Sequence, residues 1–310
     1  MKKRILIFGS GVIGSTFGGR MALQGHDVTF LARNKRLDEL NKNGLLLQQN
    51  SENKPKKIEV KVISELEEND IYDYVFVCLR NEQVDSALPV LAKNLSKNVI
   101  FMVNNPSGYS RWSNALGKKR VIPAFPGSGG KTENGIVYYQ IVSKIIQPTT
   151  IGEIDGEKTP RIVELQQILC KAGFPTSISK NMDGWQKTHV ALVGPLGDVI
   201  YLDGGNNYSV AKNHEVIRQM NRALKENFKF LRKSDIGIIP RKFNIIVFTP
   251  LWLLNPIMRL AFKTRWAETV ISNHALNAKG EMRVISHDFI EMANKKGFEL
   301  NEFKKMVEHI

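Results

Sequence analysis

The chain has 310 residues, 44 Lys and Arg against 30 Asp and Glu, a formal charge of +14, and 42% hydrophobic residues. That length and apolar content bury a core as one large or two ordinary domains, which excludes a disordered chain, a fibre and a miniprotein. The two cysteines, Cys78 and Cys170, sit in no CxxC or Cys/His spacing, so no metal site is expected and a reducing, cytoplasmic compartment is.

Residues 4–8 (RILIF) form a first strand rather than a secretory leader, because glycines interrupt the apolar run and no small-residue cleavage site follows. A helical pattern to about Gln24 and the run DVTFLA come next. Between Asn41 and Glu67 the chain is polar and irregular, with IEVKVI as a strand. YDYVFVCL (72–79), a helix from about Glu82 to Ala92, NVIFMV (98–103), a short helix around Trp112 and RVIPAF (120–125) continue the alternation. Strands alternating with helices predict a parallel sheet covered on both faces. Over 126–156 the glycines of PGSGG precede GIVYYQIV and PTTIGEI, two runs expected to pair antiparallel at the sheet edge. A helix from Pro160 to Ala172 and a strand near PTSIS close the first half.

From Met182 onward helical patterns dominate, including QMNRALKENFKFL with Leu224, Phe228 and Leu231 at helical spacing. The sequence therefore predicts an α/β first domain over 1–180 and an all-helical second domain over 181–310. Phe243 to Phe262 is long and apolar, but Asn244, Pro250, Asn255, Pro256 and Arg259 interrupt it; a buried helix or an oligomer contact is expected there, not a membrane partner. The basic residues are scattered, with no arginine-rich block or RNA-binding aromatic signature, so no nucleic-acid partner is expected.

IFGSGVIG places Gly9, Gly11 and Gly14 in G-x-G-x-x-G spacing after a strand and at the start of a helix. In a Rossmann-type fold the first glycine makes the turn, the second lets the backbone approach a pyrophosphate, and the third lets the helix pack on the sheet, with its N-terminus facing the phosphates. The loop Gly9, Ser10, Gly11, Val12, Ile13 and Gly14 is thus the candidate cofactor cradle. At the end of the second strand, where an NAD-preferring fold presents Asp or Glu, this chain has Ala32 and Arg33, with Lys35 and Arg36 behind. A guanidinium neutralises a 2′-phosphate and stacks on adenine, so NADPH is the expected cofactor and Arg33 its leading ligand. FPGSGGKT fails as a Walker loop, because Phe125 stands where the first glycine belongs; a turn is expected.

The glycine motif, LARN at the second strand's end, the asparagine loop after NVIFMV, and WQK opening the helical domain together make the chain resemble the ketopantoate reductase (2-dehydropantoate 2-reductase) family. The resemblance implies NADPH-dependent reduction of a 2-keto acid, as in pantothenate biosynthesis, with Lys187 acting on the keto oxygen. Elementary chemistry agrees, since hydride addition leaves charge on that oxygen and an ammonium both stabilises and protonates it. His189 is a competing acid, but two residues along a helix points it away from Lys187. The resemblance also sets Asn104, in preference to Asn105, near the nicotinamide. Arg80 stands where the family carries a lysine, to meet cofactor phosphate or substrate carboxylate, or to serve only as a helix-flanking charge. Related enzymes often dimerise through the helical domain, which implies a homodimer. Two departures concern the substrate. Ala191 and Gly194 replace the family's substrate asparagines, and its late glutamate has only Glu281, His287 and Asp288 as candidates, within 274–289. An alternative is an NADP(H)-binding sensor without ketopantoate reductase activity.

Overall fold

The computed structural model describes residues 1–272, 275–276 and 279–309. The chain divides into two compact units, Met1–Val103 with Tyr109–Met182, and Asn104–Gly108 with Asp183–Ile310.

In the first unit the apolar runs form strands buried along their length, as a sheet covered on both faces requires. These are β1 (Arg4–Phe8), β2 (Asp27–Leu31), β6 (Tyr74–Val77), β7 (Val99–Met102) and β8 (Val121–Phe125), with β3, β4 and β5 between β2 and β6 in the chain. Their sheet has eight strands in the order β12-β11-β8-β7-β6-β1-β2-β5, where β11 is Thr149–Ile151, β12 is Thr176–Ile178 and β5 is Lys61–Ile63. Only the β8–β11 pairing is antiparallel. Ile5 of β1 registers with Val28 on one side and Tyr74 on the other, so the strand order reverses between β1 and β6. In doubly wound sheets, ligands bind beyond the carboxyl ends of the strands at that switch point.

A second sheet, β4-β3-β10-β9, is built from β3 (Leu45–Gln49), β4 (Lys56–Ile58), β9 (Ser128–Glu133) and β10 (Ile136–Ile141). Three expectations change here. IEVKVI is two strands, β4 in the second sheet and β5 in the first, because the chain leaves one sheet for the other at Glu59–Val60. The PGSGG glycines lie partly inside β9 rather than in a turn: a Cβ on Gly130 would stand 2.0 Å from the Tyr138 carbonyl oxygen, a backbone approach only glycine allows. GIVYYQIV pairs antiparallel with β9 and parallel with β3 instead of joining the main sheet, while the TTI of PTTIGEI does join it, antiparallel to β8 and one strand in from the edge formed by β12. The helix α1 (Val12–Leu23) touches both sheets. Cβ atoms on Gly18 and Gly19 would stand 2.5 Å from the Phe30 ring and 2.4 Å from Leu47, so its small residues let it approach both. Also in this unit are α2 (Asn34–Asn43), α3 (Asn81–Lys93), α4 (Ser110–Leu116) and α5 (Pro160–Lys171).

The second unit is helical: α6 (Met182–Leu202), α7 (Asn207–Lys212), α8 (His214–Lys233), α9 (Ile245–Phe248), α10 (Leu251–Phe262), and the helices Lys279–Lys295 and Asn301–Val307. On α8, Ile217, Met220, Leu224, Phe228 and Leu231 recur every three or four residues and are all buried. Phe289 meets Phe230 and Phe303 edge to face, tying both later helices to α8.

Candidate active site

The first unit carries the glycine loop at the carboxyl end of β1. Gly9 has φ +106°, and a Cβ there would meet the Cys78 carbonyl oxygen at 2.7 Å. A Cβ on Gly14 would stand 2.0 Å from the Gly9 carbonyl oxygen, so the turn and the helix start close on each other only without side chains. Gly11 is different: nothing lies within 4 Å of its missing Cβ, and as N-cap of α1 it offers no capping side chain. Open space therefore stands above a helix N-terminus in the place where a pyrophosphate would approach, and the loop fits a dinucleotide.

Arg33 is exposed at the N-cap of α2, just beyond β2. Arg36, ranked behind it on the sequence, is the arginine tied to the loop. Its Nε donates to the Ser10 carbonyl oxygen at 3.2 Å and one terminal nitrogen donates to Ser15 Oγ at 3.2 Å, while Glu39 pairs with the other. The Lys35 side chain is 91% exposed and reaches Glu39 at 3.8 Å. Arg80 is the exposed N-cap of α3, beyond the carboxyl end of β6, so the strands on either side of the switch point lead into the glycine loop and Arg80.

In the second unit Lys187 lies on the second turn of α6. Its side chain is 12% exposed and its ammonium donates to Asp183 Oδ2 at 2.5 Å, one helical turn back. His189 stacks on Trp185 with ring centroids 5.4 Å apart. Asn104 Nδ2 donates to Glu281 Oε1 at 3.0 Å, and Ser107 Oγ to Asp288 Oδ2 at 3.3 Å, so two of the three late candidates meet the asparagine loop. Among the described residues His287 makes no such contact, and 274, 277 and 278 of that stretch lie outside the described residues. Asn105 is turned inward on its own loop, donating to the Gly108 carbonyl oxygen at 2.7 Å and accepting from Ser107 N–H at 3.0 Å. Of the two asparagines, Asn104 is thus the one whose side chain reaches beyond the loop.

Beyond Lys187, α6 turns apolar. Ala191 is fully buried, and a Cβ on Gly194 would stand 2.6 Å from the Phe303 ring. Positions 191 and 194, where the resemblance implies substrate asparagines, are packed into the helical core, and a side chain at 194 would have to displace Phe303. One turn further Asp198 is buried, its Oδ2 accepting from Ser286 Oγ at 3.2 Å; burial pushes its carboxyl up to about 8. The sequence reading missed Asp183 and the Arg36 contact. The first was legible as an i, i+4 acid–lysine pair; the second depends on how α2 returns beside the loop.

A parallel sheet with a glycine loop at its switch point, leading to an all-helical unit, is the architecture of a nicotinamide-dinucleotide enzyme. Residues 5–156 match the family model described as ketopantoate reductase PanE/ApbA. A 2-dehydropantoate 2-reductase of Pyrococcus horikoshii is 26% identical over 238 residues, covering 73% of this chain and 75% of its own. The fold matches that of a 2-dehydropantoate 2-reductase from Geobacter metallireducens (TM-score 0.79, 15% identity, 99% and 98% of the two chains). It also matches D-mandelate dehydrogenase in a ternary structure with NADH and anilino(oxo)acetate (TM-score 0.78, 15% identity, 100% and 96%). Residues 5–156 are thus similar to ketopantoate reductases, and the relatives named 2-dehydropantoate 2-reductase are oxidoreductases acting on CH–OH groups.

Proposed function

We propose that the protein is an NADPH-dependent 2-keto acid reductase acting on ketopantoate or a close 2-keto acid relative. The observation that carries this is Lys187, a lysine largely removed from solvent, oriented by Asp183 on the same helix. When bound, the reduced nicotinamide supplies the hydride. The glycine loop binds the pyrophosphate through the free N–H groups of α1, and Arg33 and Arg36 favour the 2′-phosphate over a free ribose hydroxyl. Lys187 exchanges Asp183 for the keto oxygen, stabilises the charge that develops there and delivers the proton. Asn104, held by Glu281, would stand near the nicotinamide, and Arg80 would contribute a cation for phosphate or substrate carboxylate.

The packed positions 191 and 194 favour a 2-keto acid whose recognition does not depend on hydrogen bonds from those two turns of α6. The same observation favours a second reading, a cofactor-binding regulator without reductase activity. Initial rates of NADPH and NADH oxidation with ketopantoate and a panel of 2-keto acids separate the two. Turnover on any of them, lost at least a hundredfold in Lys187→Ala with NADPH affinity unchanged, supports the reductase. NADPH binding with no oxidation across the panel supports the regulator, and unchanged turnover in Lys187→Ala removes that lysine from the mechanism.

A further inference from the structure

We infer that the helical unit docks on an anionic lipid surface through the outer face of α9 and α10. A surface helix normally turns polar residues to solvent. Here the strongly exposed positions of α10 are Trp252, Leu253, Pro256, Ile257 and Leu260, which recur along one helical face and are all apolar. Trp252 is 75% exposed and Leu260 64%, while Leu254 and Phe262 on the opposite face are buried. Across the bend at Thr249–Pro250 the face continues through Ile245, 67% exposed, and Phe248, 64% exposed. The Arg241–Phe248 segment and α10 pass together for the length and hydropathy of a membrane span, but they are bent by 120°; among the described residues no single helix is long and apolar enough to cross. A bent pair whose apolar side faces outward suits lying in an interface rather than crossing it.

Charge selects the occupant. From Ile236 to Ala267 the chain has no Asp or Glu, yet it carries Arg241, Lys242, Arg259, Lys263 and Arg265. On the adjoining α8, Arg222, Lys225, Lys229 and Arg232 follow one another at three- and four-residue spacing. Arg232 lies 4.4 Å from the centroid of the Phe248 ring, and Lys225 donates to the Thr249 carbonyl oxygen at the bend, so this stripe borders the apolar face. Lys225, Lys229 and Lys233 line an open depression with Leu251, whose acidic residues are Glu226, Glu299 and Glu302; Glu226 is occupied by the Glu302 and Phe303 backbone N–H groups. Apolar side chains including a tryptophan, bordered by cations, are the composition of an amphipathic segment bound to acidic headgroups. A second copy of this chain, docked face to face, would bring two sets of the same cations together. Peripheral attachment departs from the sequence expectation of no membrane partner, and it does not rest on the catalytic reading.

The test is cosedimentation of the full-length protein with vesicles of phosphatidylcholine alone and of phosphatidylcholine with phosphatidylglycerol, read beside tryptophan fluorescence and its quenching by brominated lipid. The protein should pellet with the acidic vesicles, with a blue shift and quenching. It should partition at least tenfold less in F248E/W252E, whose side chains are exposed and leave the core untouched. In K229E/R232E binding should fall by more than tenfold, on the order of fivefold per cation removed, and all binding should weaken with salt. Light scattering supplies the decisive contrast. A protein that stays in the supernatant with acidic vesicles overturns the proposal. So does a dimer that F248E/W252E converts to monomer without any vesicle binding by the wild type, which would assign the face to a second copy.

Discussion

Asp198→Asn should stabilise the protein, and by an amount that grows with pH. The carboxyl sits in the helical core, takes one hydrogen bond from Ser286, and among the described residues its Oδ1 has no partner. Burial pushes it from an ordinary 3.8 up to about 8. Between those limits the folded chain keeps a proton that the unfolded chain has released, so the folded state binds more protons and stability falls as pH rises. The contribution is fully present below pH ~4 and lost above pH ~8. At about 1.4 kcal/mol per pH unit the loss has a ceiling of roughly 6 kcal/mol over the window, and of roughly 4 kcal/mol between pH 5 and pH 8. Asparagine does not titrate and keeps an acceptor for Ser286. Carboxylates such as Asp27, held below its usual range by Lys61, titrate identically in both proteins and cancel in the comparison. Urea unfolding of wild type and variant at pH 5, 6, 7 and 8 measures the difference directly. Two stability curves that run parallel over that range would refute the reasoning and show that Asp198 is ionised in the folded protein.

Gly14→Ala places a methyl 2.0 Å from the Gly9 carbonyl oxygen and 2.8 Å from Ile7 Cγ2, so α1 must move off the sheet. A loss of about 1–3 kcal/mol in unfolding free energy and at least tenfold weaker NADPH binding are expected, by denaturation and by fluorescence titration. Arg36→Ala removes the tie between α2 and the Ser10 carbonyl; the NADPH KM should rise about tenfold or more with kcat within twofold. Arg33→Ala should narrow the preference for NADPH over NADH, and an unchanged ratio would assign the 2′-phosphate to Arg36 instead.

Local pattern carried the α/β half far. Apart from Arg4 and Asp27 at their starts, the runs RILIF, DVTFL, YVFV and VIFM are buried, as a central parallel strand requires of apolar residues rich in β-branched and aromatic side chains, so their identity could be read without a partner in view. The glycine loop was legible for the same reason: Gly9 and Gly14 are demanded by contacts within six residues of chain or with the next strand. Lys187 was a candidate through the resemblance, and Asp183, the acid that meets its ammonium, lies one turn back on the same helix. What escaped the sequence is what depends on distant chain. IEVKVI looks like one strand until two sheets compete for it, and the glycines of β9 look like a turn until Tyr138 lies across them. Leu45–Gln49 lacks a clean alternation and becomes a strand only through β4 and β10 on either side.

By itself the sequence determined the dinucleotide fold and the helical second half, because each rests on periodicity or spacing within a short stretch. Only the tertiary structure decided which arginine meets the glycine loop, that Asn104 rather than Asn105 reaches an acidic partner, and that residues 191 and 194 are core. It also decided which side of α10 faces solvent. Apolar residues on a helix carry the same pattern whether their stripe is buried or exposed, and only the packing of α8 against it shows that the outward face is the apolar one.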